Sequence, residues 1–550
     1  MTEAKQDPIG YIVGGSLKDN LSARLTVEPG TVQEGSFVVI ESVPWQFYGL
    51  VTDLQLGSTD PRFADEQSES RLTPQLSQLL HGQTLYTNLV ILPALMQDSA
   101  DPQGSPRPVK TVPAHHASVR LAGGSDVAAV FGVPGEQNFI VGHTREQGHP
   151  VCLDLDKFVK RSSGVFGATG TGKSFLTRLL LAGLIQWDQT SLLVFDMHNE
   201  YGFADISSDT GKSVPGLKTK FGSKVRVVSL GAGTSIRGNT ADFNLILAEK
   251  DFMPEDIEML TRELNLRETT PATLNGLFNT FKADRWFTEF RKMTKDTIQD
   301  EETGKKIPAP GSVADWAEGA GVNVMAAEAL HDKLQRVFHK PYIHENPPIN
   351  SLKNIIASLE KGEHIVLSFG GFESDLDYLL VTNILTRKIR DAWEVKTNAY
   401  RADPTKQEPR PLVVVVEEAH KLLNREMAQQ TAFSTIAREM RKYYVTLLII
   451  DQRPSQIYDE VMSQLGTRVS GWLGDEADIS AVLSGLAGRD ALRGMLSRLE
   501  PKEEVVLLGW GVKMPLPIRS RRYDDQFWLD LLGEPKRTPT MDEDISKLFG

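Results

Sequence analysis

Residues 164–174 read GVFGATGTGKS and run directly into the apolar stretch LTRLLLAGLI (176–185). Gly167, Gly172, Lys173 and Ser174 satisfy the spacing G-x-x-x-x-G-K-[ST], preceded by apolar residues of strand type and followed by residues of helix type. That order predicts a strand, a phosphate-cradling turn and a helix. Glycines let backbone N–H groups turn inward, and the helix adds the positive end of its dipole. The nucleotide contacts expected from this turn are Gly167, Ala168, Thr169, Gly170, Thr171, Gly172, Lys173, Ser174 and Phe175, with Lys173 on the β- and γ-phosphates and Ser174 on Mg²⁺. ATP and Mg²⁺ are the cofactors this reading requires.

A phosphate cradle needs an acidic partner at the end of a buried strand. PLVVVVEEAHKLL (411–423) supplies one, because Val413–Val416 is a β-branched run and Glu417 and Glu418 follow it. Successive strand residues point to opposite sides, so the two carboxylates can take separate tasks. Glu417 is assigned to the water shell of Mg²⁺ and Glu418 to general-base work on the attacking water. A further strand, YYVTLLIID (443–451), ends in Gln452, which is placed to sense the γ-phosphate. Just before it, AREMRKYY (437–444) offers Arg438 and Arg441 as cations acting in trans from a neighbouring subunit. SLLVFDMHNEYG (191–202) places Asp196, His198 and Glu200 after another strand. Their spacing is not that of a metal site, and Asp196 and Glu200 are expected to shape the nucleotide pocket.

Runs apolar on both faces (SLLVFD, HIVLSF, PLVVVV, VTLLII) alternate with helical stretches after Lys157, the pattern of a parallel sheet covered by helices. Before them, YIVGG, SARLTV, GSFVVIES, QFYGLVTDLQL, NLVILPAL and FIVGHT are short strands between Gly, Pro and Asp, which predict a small barrel. The Pro-rich residues 98–115 read as a connector within that unit. PEDIEMLTREL (254–264) and PATLNGLFNTFKADRWFTEFRKM (271–293) carry helical spacing, and KDTIQDEETGKKIPAP (295–310) reads as a solvated loop. The fold class is therefore α/β, a RecA-like P-loop NTPase with a mainly parallel sheet, a small N-terminal β-barrel and an inserted helical subdomain. The expected boundaries are 1–150 for the barrel, 151–248 for the first part of the core, 249–345 for the helical insertion, 346–515 for the second part and 516–550 for a C-terminal tail.

The whole chain of 550 residues is 40% hydrophobic and 24% charged, an ordinary globular profile. Its formal net charge is −12, so it is not a polycation that coats nucleic acid, and any such contact is local. Residues 1–150 hold 16 acidic and 9 basic side chains, which places more than half of that imbalance in the first unit. One cysteine, Cys152, precludes an intrachain disulfide and fits a reducing cytoplasm. No stretch approaches the roughly 18 apolar residues that a membrane span needs, so no membrane contact is expected.

With GATGTGKS, FDMHNEYG, VVVVEEAH, AREMRKYY and DQRPSQI in this order, the sequence resembles the HerA family of hexameric DNA translocases, in the HerA/FtsK group of P-loop ATPases. GYIVGGS, GSFVVIE and YGLVTDL are similar to the barrel that precedes the motor in that family, and RSRRYDD to its C-terminal brace. Two departures are Asp451, where relatives often carry Thr or Ser, and Met440, where Gly is common. The resemblance implies a homo-hexamer with ATP at subunit boundaries, double-stranded DNA in the channel, and a NurA-like nuclease or another defence effector as partner. The alternatives are a nucleotide-gated scaffold that activates an effector with little DNA movement, and a conjugation ATPase of the VirB type. A six-fold ring needs only a few cations per subunit to track DNA, and Lys218, Lys220, Lys224 and Arg226 are the candidates.

Overall fold

The computed structural model describes residues 7–59, 85–101, 104–206, 211–233, 235–300, 304–427, 432–486 and 488–533. Seven strands come first: β1 (Gly10–Gly15), β2 (Leu21–Leu25), β3 (Phe37–Ser42), β4 (Trp45–Ser58), β5 (Leu85–Asp98), β6 (Arg107–Pro108) and β7 (Ser118–Leu121). They run in the order β2-β1-β7-β3-β4-β5-β6, and an additional β2–β5 pairing closes six of them into a barrel with β6 outside the ring. Closure removes free sheet edges. It also gives Ile12, Val38, Ile40, Phe47, Val51, Leu89, Ile91 and Val119 one shared interior, which is why short strands suffice here.

The motor is a 12-stranded sheet. Its strands in chain order are β8 (Asn138–Thr144), β9 (Pro150–Asp154), β10 (Ser163–Phe166), β11 (Ser191–Asp196), β12 (Val225–Leu230), β13 (Phe243–Leu245), β14 (His364–Ser368), β15 (Leu412–Glu417), β16 (Val445–Asp451), β17 (Thr467–Ser470), β18 (Glu504–Gly509) and β19 (Leu516–Ser520). In space they run β13-β12-β14-β11-β15-β16-β10-β17-β18-β19-β8-β9. Pairing is parallel from β13 to β17 and antiparallel from β17 to β9, so the sheet is mixed. The parallel strands are buried along their length, as their unbroken apolar runs require. Helix α1 (Lys173–Trp187) follows β10 and buries Leu176, Leu179, Leu180, Leu181, Leu184 and Ile185. At roughly 1.5–3 kcal/mol per buried side chain, that packing fixes the turn at its start.

Three segments sit differently from the reading of the sequence. FIVGHT belongs to β8, which with β9 extends the motor sheet, so barrel pairing ends at Leu121 and β8 falls inside the motor rather than in a unit reaching residue 150. The supposed loop 295–310 contains an antiparallel pair, Thr297–Gln299 with Lys306–Pro308. The supposed tail begins as β19, a member of the sheet, and continues as a helix, Asp525–Leu532, whose Phe527 packs edge-on against Phe139 of β8. Residues 534–550 of that expected tail lie outside the described residues.

The helical insertion leaves and re-enters the motor at one neck, where Leu247–Ala248 pairs in parallel with Ile343–His344. It contains the helices α2 (Thr270–Phe281), α3 (Trp286–Lys292), α4 (Val313–Ala320) and α5 (Val324–Phe338), packed through Trp286, Phe287, Phe290, Leu334 and Phe338. Barrel and motor meet through the ion pair Arg498–Glu34 at 2.7 Å and the bond from Ser36 Oγ to Glu146 at 2.8 Å.

Candidate nucleotide site

The turn after β10 has the geometry its glycines permit. Gly167, Gly170 and Gly172 take φ of 155°, 77° and 88°, in the region where L side chains are strained. A Cβ on Gly167 would lie 2.6 Å from Thr171 Oγ1, so the cradle admits no larger residue there. Thr171 Oγ1 donates to the Ala168 carbonyl at 2.7 Å, and Ala168 N donates to Trp472 O at 2.9 Å, tying the turn to the segment after β17. Lys173 Nζ folds back onto Ala168 O at 2.8 Å. Burial lowers the Lys173 ammonium from its ordinary range, opposed by Glu418, Asp451 and Glu200.

Parallel register brings the other strand ends to this turn. Phe166 of β10 lies beside Asp451 of β16, and Glu417 of β15 beside Ile450. Thr169 Oγ1 donates to Gln452 Oε1 at 2.6 Å. Gln452 Nε2 in turn reaches Glu418 Oε2 at 3.3 Å and Oε1 at 3.5 Å. A continuous polar chain therefore joins the phosphate loop to the second carboxylate of the Glu-Glu pair. Glu418 has φ of 47°, a left-handed conformation that costs a non-glycine residue on the order of 1–3 kcal/mol. That kink turns its carboxylate away from the strand direction and toward Gln452.

Glu417 points elsewhere. It accepts from Tyr201 Oη at 2.7 Å through Oε1, while its backbone carbonyl accepts from Tyr378 Oη at 2.7 Å. Its Oε2 is buried with no hydrogen-bond partner among the described residues. Burial, and then the neighbouring Asp196, push the Glu417 carboxyl well above the ordinary carboxylate range. A buried carboxyl with one unpartnered oxygen fits a place completed by a cation shell. Asp196 accepts from the backbone N–H groups of Glu200 at 2.7 Å and Tyr201 at 3.0 Å, so its task is to shape the loop that presents Tyr201. Burial pushes its carboxyl up to about 6. His198 is exposed, and among the described residues no group of three or more His, Cys, Asp and Glu side chains is arranged to hold a metal by itself.

Arg438 and Arg441 are not with Lys173, Glu418 and Gln452. They precede β16, and that strand of seven residues spans about 20 Å at about 3.3 Å per residue, so they sit at the opposite edge of the sheet from their own phosphate loop. There they line a cleft of about 410 Å³ with Lys442 and Arg161. Sequence reading missed Arg161. Its guanidinium lies 4.2 Å from the ring centroid of the half-exposed Trp510, a contact between residues 349 positions apart that no local pattern announces. The expected DNA-facing cations are committed within the chain. Lys218 pairs with Asp242 at 2.8 Å, Lys224 with Asp188 at 2.9 Å and Arg226 with Glu363 at 2.7 Å, while Lys220 sits over the Trp528 ring.

The chain is similar in sequence to known proteins. The family model described as "Helicase HerA, central domain" matches residues 139–389. The DNA double-strand break repair helicase HerA of Saccharolobus solfataricus is 23% identical over 547 residues, covering 98% of each chain. That of Sulfolobus acidocaldarius is 24% identical over 522 residues, covering 94% of this chain and 93% of the relative. Among solved structures, VirB4 of Thermoanaerobacter pseudethanolicus is 16% identical with a TM-score of 0.42, covering 72% of this chain and 99% of its own. The plasmid coupling protein TrwB in complex with a non-hydrolysable GTP analogue is 14% identical with a TM-score of 0.45, covering 73% and 93%.

Proposed function

We propose that this chain is a ring-forming, ATP-driven translocase of double-stranded DNA. The resemblance to HerA drawn from its motifs is borne out by relatives that span nearly the whole chain, and the chain is an ATP-hydrolysing enzyme. One observation carries the finer reading. Thr169, Gln452 and Glu418 form one polar chain, with Lys173 beside it, at the end of the parallel strands, while Arg161, Arg438 and Arg441 gather at the opposite edge. A site split in this way is complete only when one subunit's arginine cleft faces another's phosphate loop, which favours a closed ring such as a hexamer.

In this mechanism Lys173 exchanges the Ala168 carbonyl for phosphate oxygens, and the backbone N–H groups of the turn beyond Ala168 cradle them. Ser174, and Glu417 through water, would hold Mg²⁺, which when bound would offset the negative charge of the β- and γ-phosphates. Glu418 takes a proton from the attacking water. Gln452 is hydrogen-bonded to both Thr169 and Glu418, so a change at the γ-phosphate is felt at the base and at the end of β16. Arginine from the next protomer stabilises transition-state charge, an effect of order 10³–10⁵ in related sites. The relatives' name, DNA double-strand break repair helicase, supports duplex DNA as the substrate, and a nuclease as a working partner rests on the family resemblance alone.

The test is DNA-stimulated ATP hydrolysis and displacement of a triplex-forming strand from duplex DNA. The wild-type protein should do both, and Glu418→Gln should bind ATP yet lose both by on the order of 10²–10⁴-fold. Retained hydrolysis in Glu418→Gln contradicts the assignment of the base. Hydrolysis without displacement contradicts translocation and leaves a nucleotide-gated scaffold.

A further inference from the structure

Asp451 closes β16 beside the phosphate loop, and its side chain is fully buried. A buried carboxylate needs donors on every side. It has three: the backbone N–H groups of His420 and Arg453, each at 2.7 Å, and His420 Nδ1 at 2.9 Å. Facing a carboxylate, Nδ1 must carry a proton. The other ring nitrogen, Nε2, then points at Glu418 Oε2 from 3.7 Å. A neutral ring would present a lone pair to that carboxylate, which is repulsive, whereas an imidazolium presents N–H.

The charged groups acting on the ring are Asp451 from β16, and Glu418 and Lys421 from its own segment. The hydrogen bond to Asp451 is the largest influence and raises the imidazole above its ordinary value, with Glu418 adding to it and burial and Lys421 opposing. Gln452 Nε2 approaches Glu418 most closely at the same oxygen, Oε2, at 3.3 Å. The amide of Gln452 and the ring of His420 therefore both lie closest to Oε2, the ring at ion-pair distance, while Oε1 is 3.5 Å from the same amide.

We propose that His420, held by Asp451, is a positioning residue that fixes the orientation of Glu418 for hydrolysis. This rests on Glu418 being the base. The imidazolium, at ion-pair distance from Oε2, keeps the carboxylate beyond the left-handed kink at Glu418 aimed at the phosphate loop. No proton need pass through the ring for it to act.

The sign of the pH dependence follows. The ion pair is complete below the raised pKa of His420 and is lost as pH rises through it, so wild-type kcat should fall on the alkaline side. In His420→Gln, kcat should drop about tenfold near neutral pH with KM for ATP within about twofold, and the alkaline fall should vanish. In Asp451→Asn, the ring loses the partner that keeps it charged, and the alkaline fall should move to lower pH. Far-ultraviolet circular dichroism and ATP binding of each full-length variant separate these effects from misfolding. Wild-type kcat and an unchanged alkaline limb in a folded His420→Gln, with Glu418→Gln inactive, overturn the positioning role alone. Wild-type turnover in Glu418→Gln instead removes the base, and the role of His420 with it.

Discussion

Gln452 is the side chain on which the site turns. Its amide oxygen accepts from Thr169 in the phosphate loop, and its amide nitrogen reaches Glu418, so one residue holds both halves of the chemistry together. Gln452→Ala should therefore bind ATP about as well as wild type, because Lys173 and the loop N–H groups remain. It should lose turnover by about 10²-fold, the scale of one misplaced positioning group. Steady-state hydrolysis with a nucleotide-binding titration checks this, and an equal loss of binding and turnover would make Gln452 a binding residue instead. The residue types at this site were legible because strand ends after apolar runs are few, and Glu418 and Gln452 both follow one. What was not legible is how they are aimed. The left-handed turn at Glu418 and the use of Asp451 to hold His420 depend on contacts across strands, and a single strand's sequence carries no trace of them.

At the scale of elements, the phosphate loop is fixed by a sheet that runs without a break from the parallel strands into an antiparallel flank. Gly509 is where the two meet. It pairs with Thr467 of β17, has φ of 90°, and a Cβ there would lie 2.1 Å from the Gly466 carbonyl oxygen. Gly509→Ala should thus destabilise the fold by about 2–3 kcal/mol, seen as a lower melting temperature of the full chain. A melting temperature equal to wild type would show that the flank does not support the motor sheet. Sequence pattern found the parallel strands through their buried apolar runs, yet it assigned FIVGHT to the barrel. An alternating strand looks the same whichever sheet receives it, and β8 finds its partner β19 more than 370 residues further on. The partners of the charges at 218–226 were hidden for a similar reason. Lys224 and Arg226 are held by Asp188 and Glu363, and sequence shows a cluster of cations without showing what neutralises it.

Across the whole molecule, the two halves of the chemistry occupy opposite edges of one sheet. Lys173, Glu418 and Gln452 lie past the ends of β10, β15 and β16, and Arg161, Arg438 and Arg441 lie before the starts of β10 and β16. No motion within a folded chain carries a guanidinium across the length of β16 to its own phosphate loop, so the arginines serve a neighbour or serve no hydrolysis at all. The most direct measurement is ATP turnover in mixtures of two full-length variants, Lys173→Ala and the pair Arg438→Ala with Arg441→Ala. Each alone should be nearly inactive, and mixing them should restore turnover, because an intact phosphate loop then meets an intact arginine cleft. Wild-type turnover by the arginine variant alone would contradict a site shared between protomers.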